Sequence, residues 1–175
     1  DSIDIVNLLL SAYDADVTVA SIDGLHPLLV ACATGRANIV RSLLASRTFD
    51  PLVINKVDET GSTPLLTCIK AGHDDVASLL LSHPQYGHYV DCNATDSEGN
   101  SALHLAVKEG RTELFALLTH IAHGTHGRGM DNPRRNAANA CGDSPLLLAC
   151  LRADRNMVET LLSQGGDKQQ CNAEG

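Results

Sequence analysis

The stretch Asp96-Ser97-Glu98-Gly99-Asn100-Ser101-Ala102-Leu103-His104-Leu105-Ala106 decides how the chain is read, because it recurs. Gly61-Ser62-Thr63-Pro64-Leu65-Leu66-Thr67-Cys68 and Gly142-Asp143-Ser144-Pro145-Leu146-Leu147-Leu148-Ala149 align with its glycine-led half without gaps, and Gly24-Leu25-His26-Pro27-Leu28-Leu29-Val30-Ala31 is a fourth copy. Self-similarity of this kind marks a repeat architecture, in which one supersecondary unit stacks on the next. The four glycines lie 37, 38 and 43 residues apart. Yet a near-apolar pair always follows 19 and 20 residues after the glycine: Leu43-Leu44, Leu80-Leu81, Leu118-Thr119 and Leu161-Leu162. All the length variation falls between that pair and the next glycine, so rigid units are joined by elastic connectors.

The rigid unit reads as two short helices. Thr63, Ser101 and Ser144 stand two residues past the glycine, where a hydroxyl suits a helix N-cap. Pro27, Pro64 and Pro145 then fall at the first helical position, where a fixed φ helps and the missing N–H costs nothing. Residues four, seven and eight past the glycine share one helical face: Leu28, Ala31, Cys32; Leu65, Cys68, Ile69; Leu103, Ala106, Val107; Leu146, Ala149, Cys150. Gly35, Gly72 and Gly110 end that helix by accepting a positive φ, with Ala153 in the fourth unit. A second helix carries its own stripe: Ile39, Val40, Leu43, Leu44; Val76, Ala77, Leu80, Leu81; Leu114, Phe115, Leu118; Met157, Val158, Leu161, Leu162. The pattern predicts first helices over 27–34, 64–71, 102–109 and 145–152. Second helices are predicted over 37–46, 74–82, 112–122 and 155–164, with a leading helix over 2–12 whose stripe is Ile5, Val6, Leu9 and Leu10.

Composition narrows the function classes. The 175 residues are 43% apolar with 2 Phe, 3 Tyr and no Trp, so the core is aliphatic. A formal charge of -8, from 13 basic and 21 acidic residues, argues against nucleic-acid binding. No apolar run approaches the length of a membrane span, so no membrane insertion is expected. The six cysteines form no CxxC pair and three sit in helical stripes. Reduced thiols in a cytoplasmic or other intracellular setting are expected, with Cys32, Cys68 and Cys150 buried and Cys141 or Cys171 accessible.

These residues resemble the ankyrin repeat, whose pattern is D-x-x-G-x-T-P-L-H-x-A, a Gly, then a V-x-x-L-L helix. Asp58 to Leu65 and Asp96 to Ala106 match best, and the family's connector Asn is present as Asn55, Asn93 and Asn136, and again as Asn172. His26 replaces the capping Thr, and of the four copies only the third keeps the family His, as His104. The resemblance implies an all-α ankyrin-repeat solenoid of stacked helix-turn-helix units with projecting turns and long inter-repeat inserts. It implies one domain over 1–175, with a half repeat at 1–20 and repeats at about 21–57, 58–95, 96–138 and 139–172. A further repeat would start at 173–175, so the chain is expected to be an excerpt of a longer array. It also implies that His104 orients the capping hydroxyl, and that turns and first helices line a concave groove. Mapped onto this chain, the partner-binding residues are Asp23, Leu25, Glu59, Thr60, Ser62, Lys70, Ser97, Glu98, Asn100, Lys108, Glu109, Asp143 and Arg152.

Chemistry of other kinds is poorly supported. There is no Walker A loop, no GxGxxG after a strand, no GxSxG, no HExxH and no EF-hand loop. His120, His123 and His126 have a suggestive spacing but lack a fourth ligand, so no metal site is expected. No catalytic residue and no cofactor are expected either. The inserts hold Phe49 and the Tyr86/Tyr89 pair, expected to pack on neighbouring units, and Arg128, Arg134 and Arg135 in the longest one. The expected function is non-enzymatic binding of a protein or peptide, with a basic segment favoured by the acidic turns. The competing reading is a regulatory or targeting segment of a larger enzyme or channel.

Overall fold

A computed structural model describes residues 2–12, 15–21, 25–123 and 136–166. Asp23, Cys171, Asn172, His126 and the three insert arginines therefore lie outside the described residues. The chain divides into two compact units, Asp1–Val90 and Asp91–Gly175. Among the described residues there is no β-sheet, only an isolated bridge between Thr95 and Ser101.

The first unit holds α1 (Ser2–Ala12), α2 (Pro27–Ala33), α3 (Ala37–Leu44), α4 (Pro64–Ala71) and α5 (Asp74–Leu81). The first helices α2 and α4 pack on each other, each also packs on the second helix that follows it, and α1, α3 and α5 stack behind them. The second unit repeats this with α6 (Ala102–Lys108), α7 (Thr112–His123), α8 (Pro145–Leu151) and α9 (Arg155–Ser163), where α6 packs on α7 and α8, and α8 on α9. Every predicted helix is present within a few residues of its expected bounds.

Local chemistry explains the helix ends. Thr63 Oγ1 accepts the Leu66 N–H at 3.4 Å and Ser144 Oγ the Leu147 N–H at 3.2 Å, while His26 makes no side-chain cap. Gly35, Gly72 and Gly110 leave their helices at φ +66, +79 and +68. Ala153 is forced to the same backbone at φ 56, the lone non-glycine with positive φ among the described residues. There its Cβ crowds the carbonyl, a cost of about 1–2 kcal/mol.

The stripes form the core. Leu28, Leu65, Leu103, Cys32, Cys68, Ile69 and Val107 are buried, as are Val40, Leu80, Leu114 and Leu161. Phe49 and Tyr86 are buried against each other with ring centroids 4.9 Å apart. Their connectors contain 3-10 turns at Pro51–Asn55 and Gly87–Tyr89, tied together by Asn55 Nδ2 donating to Tyr89 O at 2.6 Å. In the second unit, Asn136 Nδ2 makes a matching tie to Gly165 O at 3.2 Å.

Three expectations about burial need correction. Cys150 is exposed, because α8 packs on α6 and α9 and no described helix covers its forward face, whereas Cys32 and Val107 sit beneath α4 and α8. Ile5 and Leu9 are exposed, because α1 packs chiefly on α3, toward which only its half-buried Val6 and Leu10 side is available. Tyr89 is also exposed, its ring resting on His88 at 4.1 Å while its carbonyl serves Asn55.

A hydrogen bond with the free Cys32 thiol, together with burial, pushes the Cys68 pKa far up. Burial pushes the Cys92 thiol up to about 12. Native-state labelling with a thiol reagent should therefore be fast at Cys141 and Cys150 and slow at Cys32, Cys68 and Cys92. Fast reaction at Cys68 in the folded protein would contradict this packing. Leu103→Ala should lower stability by roughly 2–5 kcal/mol in denaturant melts, through lost transfer energy plus a cavity. Ala153→Gly should raise the melting temperature, since removing about 1–2 kcal/mol of left-handed strain outweighs the added chain entropy of about 0.5–1 kcal/mol.

Candidate functional site

The projecting turns are built around one side chain each, three residues before the turn glycine. In the first unit Asp58 Oδ1 accepts the Thr60 N–H at 2.8 Å, the Thr60 hydroxyl at 2.6 Å and the Ser62 N–H at 2.9 Å. The ring closes with Asp58 N–H to Ser62 O at 3.1 Å and Gly61 N–H to Asp58 O at 3.0 Å. Burial pushes the Asp58 pKa up, but the bonds from Thr60 and Ser62 and the charge of Lys70 outweigh it and leave the carboxyl below its usual range. Lys70 Nζ reaches across from the end of α4 to donate to Ser62 Oγ at 3.0 Å.

In the second unit two such turns are joined. Asp96 Oδ1 accepts the Glu98 and Asn100 N–H groups at 3.0 and 2.9 Å. Asn139 takes the same role in the next turn, its Oδ1 accepting from Cys141 N–H at 3.0 Å and Asp143 N–H at 2.9 Å. Being an amide, Asn139 also has hydrogens to give, and its Nδ2 donates to Asn100 Oδ1 at 2.9 Å. Ala140 N–H donates to Glu98 O at 2.9 Å alongside. The contact is so close that a Cβ on Gly99 would lie 2.9 Å from Ala140 N. These bonds fix Glu98, whose Oε2 accepts from Asn100 Nδ2 at 3.1 Å and stands 3.6 Å from Lys108 Nζ. Arg152 Nη1 donates to Lys108 O at 2.9 Å, and its guanidinium closes over Gly110 so tightly that a Cβ there would collide with it.

Beneath these turns His104 is fully buried at the start of α6. Its Nε2 lies 3.0 Å from Ala137 O and 3.2 Å from Asp143 O, which only accept, so Nε2 carries the proton. Nδ1 then accepts from Ser101, whose N–H lies at 3.3 Å and hydroxyl at 2.8 Å. The His thus orients the capping serine, as the repeat pattern implied.

The sequence-derived surface residues sort into three groups. Glu59, Thr60, Lys70, Ser97, Glu98, Lys108, Glu109 and Arg152 are exposed, as is Leu25, while Asp143 is half-buried. Ser62 and Asn100 are each only 1% exposed, which corrects their placement on the surface. The turn consumes them, Ser62 as acceptor for Lys70 and Asn100 as the link between Glu98 and Asn139. Asp23 lies outside the described residues. Leu25 borders an apolar groove of about 520 Å³ with Pro27, Val30 and Ile39. A second hollow of about 390 Å³ lies between α7 and α9, floored by Phe115 and Met157, which the repeat pattern did not anticipate. The cross-link through Asn139 was also missed, although its signal was available: Asp58, Asp96 and Asn139 occupy one position of the repeat. Among the described residues no group of His, Cys, Asp or Glu converges as a metal site, and no helix is long and apolar enough to cross a membrane.

A family model described as ankyrin repeats in three copies matches residues 1–96 and 86–173. Curated relatives point the same way. The chain is 29% identical over 123 residues to an IkB-like protein of African swine fever virus (strain Badajoz 1971 Vero-adapted), covering 69% of this chain and 49% of the viral protein. It is 27% identical over 166 residues to neurogenic locus notch homolog protein 1 of Xenopus tropicalis, covering 87% of the chain but 6% of that protein. Potassium channel AKT2/3 of Arabidopsis thaliana is 31% identical over 141 residues, 79% of this chain and 15% of the channel. The chain therefore spans about half the length of the viral relative and a small part of the other two. With the matched repeats covering nearly the whole sequence and four in-phase copies of turn and helix pair within it, the chain belongs to the ankyrin repeat family.

Proposed function

We propose that this chain is a non-enzymatic interaction module that binds a protein or peptide through its projecting turns and the ends of its first helices. Ankyrin repeats are protein-interaction scaffolds as a family. The observation that carries the finer reading is the cross-linked turn pair of the second unit. Its backbones are locked by Asn139 and Ala140, and they display Glu98 with its side chain 67% exposed in front of Lys108. Rigid turns lose little entropy on binding. A pre-positioned carboxylate selects partners by charge and speeds their encounter.

The proposed contact residues are Leu25, Glu59, Thr60 and Lys70 in the first unit, and Ser97, Glu98, Lys108, Glu109, Asp143 and Arg152 in the second. Ser62 and Asn100 support them from inside the turns. Glu59 and Glu98 favour a partner segment carrying Lys or Arg. No exposed aromatic anchor sits among these residues, so affinity is spread over several turns. The setting proposed is intracellular, with no cofactor, nucleic acid or membrane insertion involved. A second reading follows from the potassium channel, 15% of which the chain covers. In that reading the same surface serves a regulatory or targeting role within a larger enzyme or channel.

The test is affinity capture by the wild-type chain, with identification of the bound protein by mass spectrometry, followed by titration of that protein against variants. Glu59→Lys with Glu98→Lys should raise its Kd about tenfold at low salt, chiefly by slowing association, and the difference should shrink as salt rises. The melting temperature should fall by only about a few degrees, because exposed ion pairs contribute about 0–1 kcal/mol. If binding survives the double change but is lost on deleting residues 124–135, the arginine-bearing insert holds the partner and the turn surface does not.

A further inference from the structure

His104 holds more than its own helix. At the equivalent position, five residues past the turn glycine, the other repeats carry Leu29, Leu66 and Leu147. In the third repeat an imidazole instead joins the start of α6 to the turn at 136–143. Its Nε2–H is shared between Ala137 O at 3.0 Å and Asp143 O at 3.2 Å, one near each end of that turn. Its Nδ1 accepts the Ser101 N–H at 3.3 Å and the Ser101 hydroxyl at 2.8 Å. No part of the ring reaches water.

We propose that His104 is a proton-operated latch: when its second nitrogen takes a proton, the 136–143 turn lifts from α6 while the rest of the protein stays folded. Protonating Nδ1 converts an acceptor into a donor: the Ser101 hydroxyl, 2.8 Å away, can turn to accept from it, but the buried Ser101 N–H loses its bond. It also places a full charge in a dry site, which costs far more than in water. The surroundings offer partial compensation only. Asp96, in the turn before α6, and Asp143, in the latched turn, are the carboxylates whose charge reaches the ring. Among the described residues, α7 and α8, which pack on α6, bring no buried charge, since α7 turns in Leu114, Phe115, Leu118 and Thr119, and α8 turns in Leu146 and Ala149. Burial outweighs the bonds to Ala137 and Asp143 and the two carboxylates, and holds the His104 pKa below its usual 6.5. The way to hydrate the imidazolium that disturbs least is to move the turn that seals it, because the other walls are helices of the core.

The sign follows from linkage. A closed-state pKa below the open-state value means that the open state binds more protons at mildly acidic pH. The opening constant therefore stays flat above 6.5. It rises about tenfold per pH unit as pH falls toward the closed-state value, and levels off below it. The first unit supplies an internal control, since its 58–62 turn is held by Asp58 above a helix that carries Leu66.

Amide exchange read by NMR on the whole chain tests this, corrected for intrinsic rates, from about pH 7.5 to 5, the range that brackets histidine titration. The expected result is that Cys141, Gly142 and Asp143 lose protection by the tenfold-per-unit law while Ser62 and Gly61 keep theirs. The plateau should coincide with the midpoint of the His104 ring resonances. H104L, which installs the residue of the other repeats, should make exchange in the 139–143 turn independent of pH. Should H104L fail to fold, H104Q serves the same comparison. Unchanged protection of the 139–143 amides through the His104 titration would overturn the latch. So would loss of protection in both turns together, or a pH response that survives in the substituted protein.

Discussion

Close stacking of the short first helices is the constraint on which the rest depends. At the seventh position past the turn glycine the repeats carry Ala31, Cys68, Ala106 and Ala149, small side chains buried almost completely. Small residues there let α4 settle on α2 and α8 on α6, with Cys68 touching Cys32 across the first of these seams. A helix of seven or eight residues is too short to be stable alone. It exists because its neighbours bury it. Once the first helices stack, the turns that precede them are brought alongside one another, as Ala140 and Glu98 show in the second unit. The surface is thus a by-product of the core.

The stripes, the proline and hydroxyl starts and the glycine stops were all legible in the sequence, because each is a local rule that recurs, the stripes in all four units and each of the others in three. What escaped was set by neighbours. Cys150 obeys the same periodicity as Val107, and only the absence of a described helix against its forward side distinguishes them. Ile5 and Leu9 follow the same logic on α1. Within the turns, position alone did not tell which side chains face outward. Ser62 and Glu59 are three residues apart, yet one is sealed under Lys70 and the other exposed. That difference depends on a hydrogen bond reaching eight residues along the chain. The 3-10 turns of the connectors escaped for the opposite reason, since they occur where the repeat pattern lapses.

The turn chemistry and the proposed function are linked through rigidity. Asp58 and Asp96 each gather two N–H groups of their turn onto one oxygen, and Asn139 does the same while lending an amide hydrogen to the turn before it. A surface of this kind holds its shape without a partner. On the proposed function, specificity would reside in the exposed side chains, chiefly charged ones, which suits discrimination by electrostatics more than by shape.

The connector ties have a consequence for how such a chain tolerates change over evolutionary time. Asn55 anchors one connector to the next at Tyr89 O, and Asn136 fastens another to Gly165 O. Each tie lies just ahead of a turn and behind the stretch whose length varies. Residues gained or lost upstream of an anchored Asn need not shift the turn that follows it. Connector length is thereby insulated from turn geometry, and repeats whose glycines lie 37, 38 and 43 residues apart can share one turn design.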